Sequence, residues 1–299
     1  MPHRVGYCCI NLTLGKQKIM TSRGMIQRTF HEKGKKYASE LAVKNAEDLV
    51  KIIEWNAKNG IEVFRVGSGI FPWGSEYKLE TLPDYFEIRS ILSIAGKLAE
   101  QTNQRLTAHP DHFVKLASNN PKVVENSIKD LELHSLLFDF MELQTTPYNA
   151  LNIHVGMNRS PEVSQRWIDG YSKLSENCRK RLVVENDDKP SGYSTLNLFT
   201  DLFSVLDIPI TFDYFHHSFH TSGLSTQHAA ELAAGTWPEG ITPLFHYSES
   251  KNLNENVTGN PRAHADYVFN KIDDFGLTLD FDLEAKAKEL ALLKYRELV

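Results

Sequence analysis

Short apolar runs alternate with longer amphipathic stretches along the whole chain, and this alternation restricts the fold more than any other feature. The apolar runs predict eight strands, at residues 4–10, 61–67, 105–109, 151–155, 181–185, 206–213, 241–246 and 277–283. The stretches between and after them predict eight helices, at 42–57, 84–102, 121–142, 161–177, 196–206, 225–234, 262–275 and 284–297. Eight βα units in 299 residues most simply form one (β/α)8 barrel, a single domain spanning 1–299. An open doubly wound sheet is disfavoured because no Gly-rich phosphate turn follows the first strand.

Composition indicates the class of protein. A hydrophobic content of 41% is ample for a large core. The N-terminus shows no signal-peptide core, and no apolar run approaches the roughly 18 residues of a membrane span. Cys8, Cys9 and Cys178 lack a metal-type spacing, which favours reduced thiols. We therefore expect a cytoplasmic protein with no membrane association.

The segment between Asn11 and Tyr37 is basic, although the net charge of the chain is −5. Against the single acid Glu32 it carries Lys16, Lys18, Arg23, Arg28, Lys33, Lys35 and Lys36. A solvated loop and a phosphate-binding surface both explain this charge, and the charge alone leaves the two interpretations open.

Side chains that can bind metal stand where the predicted strands end. Those ends carry Tyr7, Arg65, His109, His154, Glu185, Asp213, His246 and Glu284, and two loop histidines, His216 and His264, follow strands six and seven. A barrel brings such ends together at one face, where uncompensated carboxylates would be costly to bury. Six of the eight predicted strands end in a side chain that can bind metal, and this predicts a metal centre at that face of the barrel.

The kinds of ligand indicate the chemistry of this centre. Carboxylate and imidazole groups without thiolate suit Zn, Mn or Co rather than Ca. The candidate ligands exceed the needs of one ion, so we expect two or three divalent ions. Paired ions about 3.5–4 Å apart are typical of phosphodiester hydrolysis. A single structural metal is the alternative.

Motifs along nearly the whole chain resemble those of the UV damage endonuclease family, a relative of endonuclease IV among the xylose-isomerase-like barrels. They are Gly6-Tyr7, Asn11 to Gly15, Ile53 to Asn56, Phe64 to Ser68, His109-Pro110, His154 to Gly156, Glu185 to Asp188, Asp213 to His217, His246, Ala263 to Ala265 and Glu284 to Lys288. Their order and spacing make the resemblance specific.

The resemblance implies a metal-dependent endonuclease that nicks duplex DNA immediately 5′ to pyrimidine dimers and 6-4 products, with abasic sites as a further expected substrate. Glu185 would bridge two metals. Asp213, His246 and Glu284 would complete one site, His109 and His154 a second, and His216 with His264 a third. We expect Mn, with Zn, Co or Mg as alternatives. Glu185, Asp213, His246 and Glu284 are the expected catalytic set.

The resemblance also implies residues for damaged double-stranded DNA, the expected partner. Tyr7 and Asn11 would line the pocket for the extruded lesion. The alternative interpretation of Tyr7 is a plain core aromatic. The basic segment, Arg65, Lys286 and Lys288 would contact phosphates. Cutting one strand requires no symmetry partner, so we expect a monomer.

Three segments of the sequence depart from the family pattern. Asp111, His112 and Phe113 follow His109-Pro110 where bacterial members carry Gly-Gln-Tyr, and we expect Phe113 to wedge into the base stack and His112 to bond an orphaned base. Leu244 replaces a lysine that the family can carry in carboxylated form near the metals. Glu76 replaces a usual His, and either substitutes as an acceptor behind the metal ligands or is simply solvent-exposed.

Two other functions compete with this hypothesis. Sugar isomerases and epimerases of the same superfamily also use a Glu, Asp, His, Glu quartet at strand ends. The additional histidines and the basic segment favour the nuclease. A damage-binding protein that has lost incision is the third interpretation, suggested by Leu244 and His112.

Overall fold

The computed structural model describes residues 3–255 and 257–299, and in it eight parallel strands form one sheet in the order β6-β5-β4-β3-β2-β1-β8-β7. The strands are β1 Arg4–Cys8, β2 Val63–Val66, β3 Arg105–Ala108, β4 Leu151–Ile153, β5 Leu182–Glu185, β6 Ile210–Thr211, β7 Leu244–Tyr247 and β8 Asp280–Leu283. A parallel bridge between Asp213 and His246 joins the two edge strands, and the His246 N–H donates to the Phe212 carbonyl at 2.9 Å. The predicted (β/α)8 barrel is thus confirmed, and its seam lies beside two candidate ligands.

Helices cover the outside of the sheet. They are α1 Leu12–Gly15, α2 Gln27–Lys58, α3 Tyr85–Gln101, α4 Pro121–Phe140, α5 Pro161–Tyr171, α6 Glu176–Arg181, α7 Thr195–Leu198, α8 Ser204–Leu206, α9 Tyr214–Phe219, α10 Thr226–Ala234, α11 Lys251–Asn254 and α12 Glu289–Tyr295. A π-helical turn, Phe199–Phe203, connects α7 to α8. Apolar side chains of the helices and strands pack into one large core cluster.

Four predicted elements differ from the structure. The basic segment is not wholly a loop, because its second half belongs to α2, which bends at Gly34 (φ 62°). The predicted helix at 161–177 is two helices, and the last helix begins at Glu289 rather than 284.

The largest error is the predicted helix at 262–275, which is irregular. Carboxylates occupy backbone donors that a helix would need: Glu249 accepts from the N–H groups of Phe269 and Asn270, and Glu255 accepts from that of Asp266. His264 meanwhile pairs with Ser250 in an antiparallel bridge. These contacts hold His264 at the mouth of the barrel.

A buried ionic cluster fills the N-terminal end of the barrel. Asp280 on β8 accepts from Arg4 at 2.5 Å and from Arg105 at 2.8 Å, and Arg105 is fully buried. Arg105 also donates to the carbonyls of Tyr148 and Thr242. The cluster connects β1, β3 and β8 far from the candidate ligands.

We expect Asp280→Asn to lower the free energy of unfolding by about 3 kcal/mol, because it leaves the Arg105 charge buried without its counter-ion. Urea unfolding followed by circular dichroism measures this change. Glu125→Gln is the control, since Glu125 pairs with Lys122 and Lys129 at the surface and should leave the midpoint unaltered. An Asp280→Asn midpoint equal to that of the control would contradict the expectation.

Candidate metal centre

Six side chains converge where the strands end. His109 and His154 follow β3 and β4, Glu185 is the last residue of β5, Asp213 follows β6, His246 lies within β7 and Glu284 follows β8. Asp213 also begins α9, where its Oδ1 accepts from the His216 N–H at 2.7 Å. That cap turns His216 back toward the barrel axis, which explains why an Asp and a His three residues apart reach the same centre.

Glu185 is fully buried and is shared by two groups of donors. One group is His109, His154 and Glu185; the other is Glu185, Asp213 and His216; within each group the donor atoms lie within 4.8 Å of one another. Glu185 Oε2 is 3.1 Å from His109 Nε2, and its Oε1 is 3.2 Å from His216 Nδ1. This arrangement suits a carboxylate that bridges two ions.

The remaining candidate ligands adjoin these groups. His246 Nδ1 lies 3.1 Å from Glu185 Oε2 and 3.6 Å from Glu284 Oε1, and His264 Nδ1 lies 3.8 Å from Glu284 Oε2. His216 lies in one donor group with Glu185 and Asp213, and its ring centroid is 6.3 Å from that of His264. The expected third site of His216 with His264 stays a prediction.

The residues present fit divalent cations. Within the described chain, Glu185 Oε1, Asp213 Oδ2, His246 Nδ1 and His264 Nδ1 are buried without a hydrogen-bond partner. Buried polar atoms left unpaired cost free energy, and a cation that they coordinate removes that cost. The donors are oxygen and nitrogen without sulfur, a set that suits Mn, Zn or Co.

Ionisation in the centre follows burial and neighbouring charge. Burial opposes the charged form of Glu185, yet the imidazoles of His246 and His154 hold its pKa well below the ordinary value. Burial raises the pKa of Asp213. At His154 burial opposes protonation, but the Glu185 and Asp187 carboxylates raise the pKa to about 9. Protons therefore compete with cations for these donors.

Arg65 lies beneath the centre, where only 6% of the residue is exposed. Its Nη1 donates to Glu284 at 2.6 Å, its Nη2 contacts His246 Nε2 at 2.8 Å, and its Nε is 3.4 Å from Asp282. The predicted phosphate contact of Arg65 conflicts with this placement, since the guanidinium is committed to the site itself. Asp282 was missed, although it stands two residues before Glu284 and so faces the same side of β8.

Tyr7 and Asn11 are also buried, and their placement conflicts with a lining role in an open lesion pocket. The Tyr7 hydroxyl donates to Asn56 Oδ1 at 2.8 Å and accepts from Asn11 Nδ2 at 3.0 Å, and burial raises the pKa of Tyr7. Asn11 Oδ1 caps α1 by accepting from the Leu14 N–H. Tyr7 is thus a hydrogen-bonded core aromatic.

An open cavity of about 330 Å³ adjoins the His109 and His154 side of the centre, and Asp187, Lys189 and His216 also line it. His112 belongs to its rim, and the next residue, Phe113, is 70% exposed. The His112 and Phe113 ring centroids are 4.0 Å apart, so the two rings form one projecting pair. The open cavity and the projecting His112–Phe113 pair therefore lie side by side on the face of the barrel that carries the candidate ligands.

The other predicted residues lie at varying distances from the centre. Lys286 is exposed and Lys288 half-buried just beyond Glu284. Glu76 is exposed and shares a separate shallow cavity with Asp111 and Phe113, which favours the solvent-exposed alternative over the acceptor. Leu244 is fully buried against Val63, Ala150, Val183 and Trp237, paired with Asp280 and two residues below His246.

The family model for UV-endonuclease UvdE matches residues 3–298. The chain belongs to the UV-endonuclease family. The resemblance inferred from the sequence motifs is therefore confirmed.

Individual relatives agree with this assignment. A UV-damage endonuclease of Schizosaccharomyces pombe is 33% identical over 97% of this chain, and a putative UV-damage endonuclease of Acanthamoeba polyphaga mimivirus is 31% identical over 97%. The chain covers 50% of the yeast protein and 89% of the viral one, so it spans about half the length of the first. The crystal structure of SacUVDE superposes with a TM-score of 0.86 at 29% identity, covering 99% of this chain and 98% of that one.

Sugar epimerases share the fold alone. D-psicose 3-epimerase gives a TM-score of 0.51 at 14% identity, covering 78% of each chain. No helix in the described part of the chain has the length and apolar character needed to cross a membrane.

Proposed function

We propose that this protein is a metal-dependent DNA repair endonuclease that nicks duplex DNA immediately 5′ to UV photoproducts, both pyrimidine dimers and 6-4 products. The observation that carries the proposal is Glu185, buried and shared by two donor groups in a chain of the UV-endonuclease family. Incision would leave a 3′-hydroxyl and a 5′-phosphate. Abasic sites are proposed as a further substrate, and we propose that the protein acts as a monomer in the cytoplasm.

We propose that the protein binds two or three divalent ions, with Mn as the expected metal. The proposed ligands are His109, His154, Glu185, Asp213, His216, His246, His264 and Glu284. When bound, such ions supply Lewis acidity for phosphodiester hydrolysis and neutralise charge in the transition state. The protein orients the donors. His109 Nδ1 donates to the Pro110 carbonyl at 2.9 Å, which leaves the Nε2 lone pair facing Glu185. His154 Nδ1 lies 3.4 Å from Asp187 Oδ1, a carboxylate behind the ligand that favours the same tautomer.

Recognition of damage follows from the cost of extrusion. A crosslinked dinucleotide stacks and pairs poorly, so moving it out of the duplex costs less than moving intact bases. The cavity beside His109 and His154 offers space for an extruded group. Phe113 would fill the gap left in the stack, and His112 would donate to the orphaned base. Lys286 and Lys288 are proposed to contact phosphates.

We expect Phe113→Ala to reduce the preference for damaged over intact duplex about tenfold, because stacking of one aromatic on a base contributes about 1–3 kcal/mol. Binding of both duplexes, measured by fluorescence anisotropy, gives the preference, and metal content should stay unchanged. Phe86→Ala is the control, since Phe86 is 80% exposed on the outer helix α3. Equal preferences in Phe113→Ala and wild type would disprove the wedge role.

The test of the proposed function uses an end-labelled duplex with one thymine dimer, incubated with Mn²⁺ beside an undamaged duplex. A single cut immediately 5′ to the dimer that is lost on chelation supports the proposal. Duplexes with a 6-4 product or an abasic site define the range of lesions. Absence of any cut, with metal confirmed bound, contradicts the proposal.

A sugar isomerase or epimerase is the second candidate, favoured by the quartet of Glu185, Asp213, His246 and Glu284 and by the shared fold. Metal-loaded protein that exchanges a sugar proton with solvent, without nicking DNA, would support it. Tight binding to irradiated duplex without incision at any metal would instead indicate a binding protein.

A further inference from the structure

Arg262 stands on the rim of the metal centre, in the irregular segment that carries His264 two residues later. Its Nε lies 2.9 Å from Asp188 Oδ2, and the guanidinium carbon lies 5.1 Å from the ring centroid of Phe219. Asp188 lines the open cavity, and Phe219 ends the helix α9 that carries His216. One guanidinium thus connects the loops that follow β5, β6 and β7.

The two contacts engage one edge and one face of the guanidinium and leave the other edge available. Within residues 3–255 and 257–299, neither Nη1 nor Nη2 of Arg262 has a hydrogen-bond partner, and the side chain is 36% exposed. The buried arginines differ, because Arg65, Arg105 and Arg181 all direct their terminal nitrogens at protein acceptors. The protein therefore fixes the orientation of the Arg262 guanidinium but, among the described residues, leaves its two terminal nitrogens free to donate hydrogen bonds.

We propose that Arg262 binds a backbone phosphate of duplex DNA beside the scissile bond, an inference that rests on the proposed function. A planar guanidinium with two parallel N–H donors matches two oxygens of a phosphate, and a carboxylate at Nε with an aromatic ring at its face keeps that fork in place. Three loops fix the fork relative to Glu185, His216 and His264. The contact therefore positions the strand over the centre, and it contributes to affinity independently of sequence.

The chemistry of phosphate binding predicts a salt signature. Each neutralised phosphate contributes about 0.9 to the slope of log affinity against log salt concentration. Removing Arg262 should therefore lower that slope by about 1 for damaged and intact duplex alike. A residue that merely supported the fold would leave the slope unaltered.

The experiment measures incision at increasing enzyme concentration, which gives a half-saturating concentration and a maximal rate, and measures anisotropy on the same duplex at four salt concentrations. Arg262→Met should raise both the half-saturating concentration and the dissociation constant about five- to tenfold, with the maximal rate and metal content unchanged. Arg262→Lys should raise them about two- to threefold and retain the salt slope, because it keeps the charge and loses the fork.

Arg179→Met is the matched control. Arg179 lies in α6, which leads into the N-terminal end of β5, so this variant loses the same charge on the opposite face of the barrel. It should stay within about twofold of wild type. Arg262→Met values equal to those of the control overturn the inference, and so does a fall in maximal rate at constant affinity. Wild-type protein that binds with an Arg262-dependent slope but does not cut would refute the proposed function and leave the phosphate contact standing.

Discussion

Glu185→Gln is expected to lower the maximal rate of incision at least about 10³-fold while the fold stays intact. Gln has the same shape but lacks the charge that both donor groups share, and metal-assisted stabilisation of a phosphodiester transition state amounts to several kcal/mol. Each 1.4 kcal/mol corresponds to about a tenfold change in rate. The amide oxygen of Gln can still accept from Asn152 Nδ2, as Glu185 Oε2 does in the wild type, so that contact and the fold are kept while the charge is lost.

Single-turnover incision of the dimer-containing duplex measures this rate, and metal analysis of the same samples shows how many ions are lost. Glu76→Gln is the control, because it removes one carboxylate charge from the exposed rim. It should incise like wild type. A Glu185→Gln protein that retains both its metal content and its activity would show that Glu185 bridges nothing.

The sequence was sufficient for the architecture and for the set of candidate ligands, because both depend on local periodicity. Short apolar runs identify the strands, and parallel strands in a barrel bring their ends together, so His109, Glu185 and Asp213 could be placed at one mouth without coordinates. The shared position of Glu185 was expected only through the family resemblance.

The depth at which each inward-facing side chain lies below the mouth of the barrel could not be predicted in the same way. Tyr7 and Arg65 both stand near strand ends, yet the structure buries both, one against Asn56 and the other beneath His246. Which inward-facing residue reaches the mouth and which lies one layer below depends on the register between strands. That register is a property of the closed sheet and not of any one segment.

The irregular segment at 262–275 shows a second limit. Its sequence has helical spacing, but residues outside the segment occupy its backbone groups. The carboxylates of Glu249 and Glu255 accept from its backbone N–H groups, and Ser250 pairs with His264 in an antiparallel bridge. Long-range acceptors of this kind override local propensity, and a single sequence gives no sign of them. The same contacts present His264 and Arg262 to the mouth.

Arg65→Met is expected to lower the free energy of unfolding by about 4 kcal/mol in the presence of a chelator, because it leaves the buried Asp282 and the half-buried Glu284 without their common counter-ion. Asp282 Oδ1 already has no hydrogen-bond partner in the described chain, and its Oδ2 keeps only Thr107 once Arg65 is gone.

Saturating Mn²⁺ should restore part of that stability, since an ion that binds only the folded state stabilises it by mass action. Urea unfolding of wild type, Arg65→Met and Arg65→Lys, each with chelator and with Mn²⁺, separates the two effects. Lysine keeps the charge but cannot reach Asp282, Glu284 and His246 together, so its loss should be intermediate. If Arg65→Met unfolds at the wild-type midpoint with chelator, then Arg65 does not counterbalance these carboxylates. If Mn²⁺ stabilises Arg65→Met by no more than it stabilises the wild type, the ions and Arg65 do not act on the same charges.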